Sequence, residues 1–283
     1  MEQTQQGMNP LASYYRQPKI YLSLPSKGRF YPDGALDVSK NNSYAVYSMT
    51  AKDELMYKTP DALASGQSTV EVIKSCIPAI IDPWQMPSID VDACLVAIRI
   101  ATYGEYLDIS TTCSACEIES DYTVSMVNYL NQISAFEYIS EIPVGDLIIS
   151  IRPYNYKETT KTAIRAIEQE KIFNVIGSET LTEEEKLEQF GQSFSKLTQL
   201  TVDIISGCIT QIQTPTDTVT DLALINDFIQ NCPKETFEAV SSHITDLKMS
   251  FEFPPQKVEC QNCQHNFDLT VAMDQSNFFA VRS

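Results

Sequence analysis

The spacing of apolar residues predicts a chain in which helices dominate and strands are short. Apolar positions recur at helical intervals through residues 50–104 and 154–247. The stretch "SIDVDACLVAIRIATYG" is the most apolar helix, and Gly104 is placed to end it. Alternating apolar and polar positions in "YAVYSM" (44–49) and "DLIISIRP" (146–153) predict strands. The pattern therefore predicts an α+β fold that is mostly helical.

Helix-start signals add detail to the helical part of the chain. Thr182, with Glu185 three residues later, forms a capping box that opens a long helix reading "TEEEKLEQFGQSFSKLTQLTVDIISGCITQI". Further helices are predicted over residues 156–177, 220–231 and 233–247.

Changes in these patterns divide the chain into five segments. They are a flexible N-terminal arm (1–18), a strand-loop and helical region (19–104), a β-rich segment (105–153), a helical region (154–247) and a C-terminal β segment (248–283).

Composition narrows the class of protein. The 283 residues include 37 acidic and 20 basic side chains, a formal net charge of −17, and 43% of them are hydrophobic. A surface this negative repels nucleic acid and anionic lipid, because phosphate binding draws on clustered Lys and Arg. The sequence also has no run of about 18 apolar residues and no signal-peptide pattern. We therefore expect a protein of a reducing cytoplasm that binds neither nucleic acid nor membrane.

Eight cysteines fall into two pairs and four single residues. The single cysteines are predicted to be buried in helices or, for the last, to lie at a helix break: Cys76, Cys94, Cys208 and Cys232. The pairs are C-x-x-C motifs, Cys113/Cys116 and Cys260/Cys263. In a reducing compartment such pairs indicate metal ligands or redox centres before structural disulfides.

The two pairs belong to an internal repeat. "CSACEIESDYTVSM" and "CQNCQHNFDLTVAM" both read C-x-x-C, six residues, then T-V-x-M. Tetrahedral Zn²⁺ takes four thiolates at about 2.3 Å, and each C-x-x-C turn supplies two of them. We therefore predict a structural Zn²⁺ site in a small zinc-ribbon-like β module, with the ligands Cys113, Cys116, Cys260 and Cys263. The 143 residues between the two pairs form a long loop, whose closure entropy grows only logarithmically with its length.

Other interpretations of the pairs remain open. A cytoplasmic thiol oxidoreductase would use one C-x-x-C, although such motifs usually start a helix and both pairs here precede strand-like alternation. His265 offers a fifth ligand that a tetrahedral site does not need. A zinc ribbon that binds nucleic acid conflicts with the net charge of −17. Chance occurrence of the two pairs is the simplest alternative.

Two loops contain candidate interface residues. Arg29, Phe30 and Tyr31 in "LPSKGRFYPDG" are side chains of the kinds that anchor protein interfaces, although a surface Ω-loop would explain them as well. Trp84 in "DPWQMPS" is the only tryptophan and suits either the core or an interface. Together with the polar arm, the loop suggests a chain that docks into something larger.

Catalytic motifs are not found in the sequence. It contains no Gly-rich phosphate loop, no H-E-x-x-H and no G-x-S-x-G, and it has two histidines. A closed Cys₄ zinc site holds a fold together and does not present an open position to a substrate. We therefore expect no enzymatic activity and no catalytic residues.

Three stretches of the sequence resemble a known family. "IYLSLPSKGRFYPDGAL", "MTAKDELMYKTPDAL" and "VEVIKSCIPAIIDPWQMPSIDVDACLVAIRIATYG" are similar to the T4-type base plate proteins of contractile-tailed bacteriophages. The resemblance covers residues 20–127 and returns at the final cysteine pair. It implies a structural, hub-associated subunit of the virion baseplate, multimeric and in contact with other baseplate and tail proteins. The nearest alternative is a hub-assembly chaperone that acts in the host cytoplasm and is not retained in the virion.

Overall fold

The computed structural model describes residue 11 and residues 14–57, 66–159, 182–251 and 255–269. These residues contain ten strands, β1–β10 in chain order: Pro18–Leu22, Tyr44–Tyr47, Tyr106–Thr112, Glu119–Ser125, Glu141–Val144, Leu147–Ile151, Ile209–Gln213, Thr218–Val219, Gln256–Glu259 and Asn266–Leu269. They also contain the helices α1–α7: Ala51–Tyr57, Gln67–Cys76, Ser88–Tyr103, Met126–Ala135, Glu183–Cys208, Leu222–Asn231 and Lys234–Ser250. The fold is α+β, as the sequence predicts.

All strand pairs are antiparallel. One sheet has four strands in the order β5-β6-β7-β8, and the pairs β1–β2, β3–β4 and β9–β10 form two-stranded sheets. The strands predicted from residues 44–49 and 146–153 are confirmed as β2 and β6. No helix within the described ranges combines the length and the hydropathy that crossing a membrane requires.

The first core surrounds helix α3, which is buried on nearly every side because most of its residues are apolar. Strands β1 and β2 and helices α2 and α4 pack around it, and Val46, Ile73 and Ile98 are fully buried there. Gly104 ends the helix with φ at 96°, and its N–H donates to the Ile100 carbonyl at 3.0 Å. The predicted helix and its glycine terminus are therefore confirmed.

The second core lies between the four-stranded sheet and helices α5–α7. Ile149 of β6, Ile229 of α6 and Val240 of α7 are buried in it, together with the last turns of α5 around Ile205. Ile89, at the start of α3, also belongs to this core. Helix α3 therefore contributes to both cores and joins them.

Helix α5 is shorter than predicted. It opens with the predicted capping box, in which the Glu185 N–H donates to Thr182 Oγ1 at 3.3 Å, but it ends at Cys208. Residues 209–213 form β7 instead, because Ile209 and Ile212 fill the second core while the strand pairs with β6.

A helix lies inside the segment that was expected to be β-rich. Strand β4 ends at Ser125, whose Oγ accepts the Asn128 N–H and caps helix α4. Met126, Tyr129 and Ile133 are buried at helical spacing, so packing against the first core favours a helix here. The helix predicted over residues 156–177 lies largely outside the described residues.

Arg16 fixes the described end of the N-terminal arm to the body of the protein. Its guanidinium donates to the carbonyl and the hydroxyl of Ser75, at 2.5 Å and 2.8 Å, and lies 3.4 Å from Asp53 Oδ2. Residues 1–10 and 12–13 of the predicted flexible arm lie outside the described residues.

Candidate metal centre

Each C-x-x-C pair forms the turn of a β-hairpin. Strand β3 ends immediately before Cys113, and β4 begins three residues after Cys116. Strand β9 ends immediately before Cys260, and β10 begins three residues after Cys263. The two hairpins therefore repeat in structure as they do in sequence, although residues 270–273 of the second repeat lie outside the described residues.

The two turns share the same backbone geometry. In each, the N–H of the first cysteine donates to the carbonyl five residues later, at 3.0 Å and 2.9 Å. The residue after the second cysteine donates back to the carbonyl of the first cysteine, at 2.9 Å in both turns. That residue is left-handed in both, with φ at 58° for Glu117 and 61° for Gln264. The shared turn places both thiols of a pair at the tip of its hairpin.

The two turns face each other and bring four sulfur atoms together. The Sγ atoms of Cys113, Cys116, Cys260 and Cys263, here called the cysteine cluster, all lie within 4.8 Å of one another. Between the hairpins, Cys113 Sγ lies 3.7 Å from Cys263 Sγ, and Cys116 Sγ lies 3.7 Å from Cys260 Sγ. Sulfurs around a tetrahedral metal ion at about 2.3 Å lie about 3.8 Å apart, whereas a disulfide bond measures about 2.05 Å. The cluster therefore has the spacing of a metal site.

The surroundings of the second cysteine pair shift the pKa values of its two thiols in opposite directions. Hydrogen bonds from the backbone of Cys263 and Asn262 lower the pKa of Cys260 to about 6. The His265 backbone favours the Cys263 thiolate too, but burial and the neighbouring sulfurs outweigh it and raise the pKa of Cys263 to about 12. Four thiolates this close repel one another unless a cation lies between them. The donor set therefore fits a metal ion.

Apolar contacts hold the second hairpin against the first hairpin and the first core. The Phe267 ring meets the edge of Tyr122, with centroids 5.8 Å apart. Leu269, the repeat equivalent of Tyr122, is 3% exposed, and Val258 packs against the same core. Burying an aliphatic or aromatic side chain of this size stabilises a fold by about 1.5–3 kcal/mol. The cluster and these contacts together fix the C-terminal hairpin.

His265 is placed for packing. The potential metal ligands grouped within the described residues are the four cysteines, while the His265 ring is exposed and stacks on Phe267 with centroids 6.4 Å apart. Neither C-x-x-C pair begins a helix, which is the setting that activates a redox cysteine.

The single cysteines lie where the sequence predicts them. Cys76, Cys94 and Cys208 are buried, and Cys232 is half-buried at the end of α6. Burial raises the pKa of Cys94 and of Cys208, so these thiols stay neutral near pH 7.

The loop of residues 25–34 contains three of the candidate interface residues. Arg29 is exposed, and its guanidinium carbon lies 5.1 Å from the centroid of the Phe30 ring. Phe30, with φ at 70°, meets Tyr138 edge-on at 5.1 Å, and Tyr31 O–H donates to Asp90 Oδ2 at 2.9 Å. Phe30 and Tyr31 therefore pack largely inward. Contact of the three residues with a partner stays a prediction.

Trp84 lies in a single 3₁₀ turn, Pro83–Gln85, and is half-buried. Its ring stacks on Tyr156 with centroids 5.6 Å apart, and the backbone N–H of Trp84 donates to Asp82 Oδ1 at 3.2 Å. One part of the indole thus packs within the protein while another stays accessible. An interface role for Trp84 stays a prediction.

Asp90 is a buried charged residue that the sequence analysis missed. It lies in the first turn of α3 and is 0% exposed. Its carboxylate accepts the N–H and O–H of Ser26 at 2.8 Å and 2.6 Å, and the O–H of Tyr31 at 2.9 Å. Burial raises the pKa of Asp90 to about 6, although these hydrogen bonds oppose the shift. Asp90 therefore fixes the 25–34 loop to α3.

The fold and the cluster define an α+β protein in which the hairpins β3–β4 and β9–β10 meet at a potential metal site. The family model described as "T4 bacteriophage base plate protein" matches residues 38–280, so the chain belongs to that family. No curated protein and no solved structure matches the chain significantly. Membership implies contacts with other phage tail proteins and a location in the virion tail. The match begins at residue 38, so it does not include the first of the three resembling stretches, but it continues through the helical region beyond residue 127.

Proposed function

We propose that the chain is a structural subunit of the baseplate of a contractile-tailed bacteriophage, associated with the hub and acting through contacts with other proteins of a multimeric assembly. The family match over residues 38–280 is the observation that carries this proposal. The net charge of −17 suits a particle in which neighbouring proteins supply complementary basic surfaces. A catalytic role has no support, because four cysteine ligands around one ion leave no open coordination position.

Mass spectrometry of purified virions tests the structural role. We expect peptides of the chain in particles purified to constant composition, at a fixed ratio to other tail proteins. A chain that is abundant in infected cells but absent from mature particles would instead be an assembly chaperone, and the structural proposal would be wrong.

We propose Zn²⁺ as the ion of the cysteine cluster, in a zinc-ribbon-like module built by the two hairpins. Four sulfur ligands at tetrahedral spacing suit Zn²⁺, although iron shares a preference for such a set. When bound, the ion supplies a structural cross-link. The four cysteines hold it, and the contacts of Phe267 and Leu269 keep the two hairpins in register around it.

Metal analysis of the purified protein tests this assignment. We expect about one zinc per chain, because two pairs of thiolates complete one four-coordinate site. Two zinc ions per chain would indicate separate sites completed by other ligands, and iron in place of zinc would contradict the assignment.

A further inference from the structure

Helix α5 carries an apolar stripe that the described residues leave largely uncovered. Leu187, Phe190, Phe194 and Leu197, here called the α5 stripe, follow one another at intervals of three, four and three residues. Leu187 is 73% exposed and Phe194 is 55% exposed, and the Phe190 and Phe194 rings stack with centroids 6.0 Å apart. The same intervals continue through Thr201 and the buried Ile204 to Cys208, which belongs to the second core.

A groove extends the α5 stripe at its C-terminal end. It has a volume of about 670 Å³. Its walls come from α5 and from the α6–α7 pair, and they include Leu197, Thr201, Val202, Ile229, Lys234 and Phe237. The apolar surface on α5 is thus continuous from the uncovered half of the helix to the place where α6 and α7 begin to cover it.

Alternating intervals of three and four residues are typical of a helix that packs along a second helix. We propose that the α5 stripe of one copy of the chain packs antiparallel against the α5 stripe of a second copy. In this register Leu187 faces Leu197 of the second copy and Phe190 faces Phe194 of the second copy. Each layer therefore pairs side chains of the same kind, and the contact is self-complementary, as a twofold interface requires.

The charges on α5 favour the antiparallel direction. Glu183, Glu184 and Glu185 form the first turn of the helix, and Lys234, which also pairs with Glu238 at 3.3 Å, lines the groove at the opposite end of the stripe. Parallel pairing would bring the two acidic turns together, which is unfavourable. Antiparallel pairing places each acidic turn near Lys234 of the other copy and also aligns the helix dipoles favourably.

Gly191 lies beside the midpoint of the stripe. A glycine inside a helix is unfavourable, and a Cβ at this position would meet no atom within 4 Å in the structure as described. Packing of the described residues therefore gives no reason for the glycine. A second helix that crosses here does give one, because a missing side chain lets two backbones approach closely.

Sedimentation equilibrium of the full chain tests the proposal. We expect a monomer–dimer equilibrium for the wild type, and Phe194→Glu should weaken dimerisation about tenfold or more, because it places a charge in a central apolar layer. Ser195→Glu is the matched control, since it adds the same charge at an exposed position of α5 outside the stripe. The control should dimerise like the wild type.

Mixing two variants tests the register. Leu187→Glu and Leu197→Lys should each dimerise weakly alone, since every antiparallel dimer then holds two mismatched layers. Their equimolar mixture should associate more tightly, because each heterodimer holds one Glu–Lys layer and one Leu–Leu layer. Parallel pairing of the two variants forms no Glu–Lys layer. An equimolar mixture that associates no more tightly than either variant alone therefore contradicts the antiparallel register.

Three results would overturn the proposal. They are a wild type that stays monomeric at all concentrations, a dimer that Phe194→Glu leaves unchanged, and a different oligomer. If the wild type is monomeric and Phe194→Glu lowers its melting temperature while Ser195→Glu does not, the stripe is covered within one chain. Residues 160–181, which precede Thr182 in the sequence, would then be the segment to test. None of these results bears on baseplate membership or on the metal.

Discussion

Replacing Cys113 and Cys260 with serine is expected to abolish metal binding and to release the C-terminal hairpin from the first core. Each turn then keeps one thiol, and two thiols do not hold a tetrahedral ion. Structural zinc contributes about 10–16 kcal/mol of apparent binding free energy in small zinc domains. Release of the hairpin also exposes Phe267 and Leu269. We expect the content of the proposed zinc to fall from one per chain to none and the melting temperature to fall by at least about 10 °C, since each kcal/mol lost lowers it by about 2–4 °C in a chain of this size.

Cys232→Ser is the matched control for this double substitution. Cys232 is half-buried at the end of α6 and lies outside the cysteine cluster. The control should keep both the zinc and the melting temperature of the wild type. A thiol oxidoreductase predicts the opposite pattern, in which the double substitution abolishes disulfide turnover and leaves the melting temperature unchanged.

Asp90→Ala is expected to destabilise the first core by about 3–5 kcal/mol. It leaves two Ser26 donors and the Tyr31 hydroxyl buried without their acceptor, and each unsatisfied buried donor costs about 1–3 kcal/mol. Urea unfolding followed by circular dichroism measures the loss. Asp33→Ala, in the exposed part of the same loop, should change the free energy of unfolding by less than about 0.5 kcal/mol. Equal effects of the two substitutions would show that Asp90 does not fix the loop.

The Asp90 carboxyl group also makes the free energy of unfolding depend on pH in a predictable direction. The pKa of Asp90 is raised to about 6 in the folded protein, whereas an aspartate in an unfolded chain titrates near 3.9. Between these values the folded state binds more protons, so the contribution of Asp90 to stability falls as the pH rises from about 4 to about 6. Asp90→Asn removes this titration.

The free energy of unfolding of Asp90→Asn relative to the wild type should therefore shift in favour of the variant across that pH range. Metal binding depends on pH in both proteins alike, so the difference between them isolates Asp90. A difference that is constant between pH 4 and pH 7 would contradict the raised pKa.

The cysteine cluster could be predicted from the sequence because each half of it is local. A C-x-x-C turn is specified by a few neighbouring residues, and the repeated context around Cys113 and Cys260 identifies two halves of one site. The capping box at Thr182 was predicted for the same reason, since the residues that form it are three positions apart.

Burial that depends on distant parts of the chain could not be predicted. Asp90 lies 64 positions from Ser26, and an acidic residue in the first turn of a helix is usually explained by the helix dipole alone. Phe30 and Tyr31 likewise lie in a stretch whose sequence is typical of an exposed loop. Their inward packing follows from tertiary contacts with Tyr138 and Asp90.

The two errors in secondary structure have a common physical cause. Ile209 and Ile212 suit both a helix and a strand, and pairing of β7 with β6 decides between them. The alternation T-V-x-M predicts a strand through Met126, yet Met126 and Ile133 also fit a helix that buries them in the first core. Tertiary packing selects one of two patterns that the local sequence allows.

Because the two hairpins lie far apart in the sequence, the two halves of the cysteine cluster are synthesised at different times. A ribosome that adds about 5–20 residues per second takes roughly 7–30 s to translate the 143 residues from Cys116 to Cys260. During that interval Cys260 and Cys263, the two thiols that complete the cysteine cluster, are not yet part of the nascent polypeptide. A polypeptide truncated anywhere in α5–α7 keeps this half-site open, whereas one translated through β10 closes it. Binding of the proposed ion would thus distinguish polypeptides translated through β10 from shorter ones.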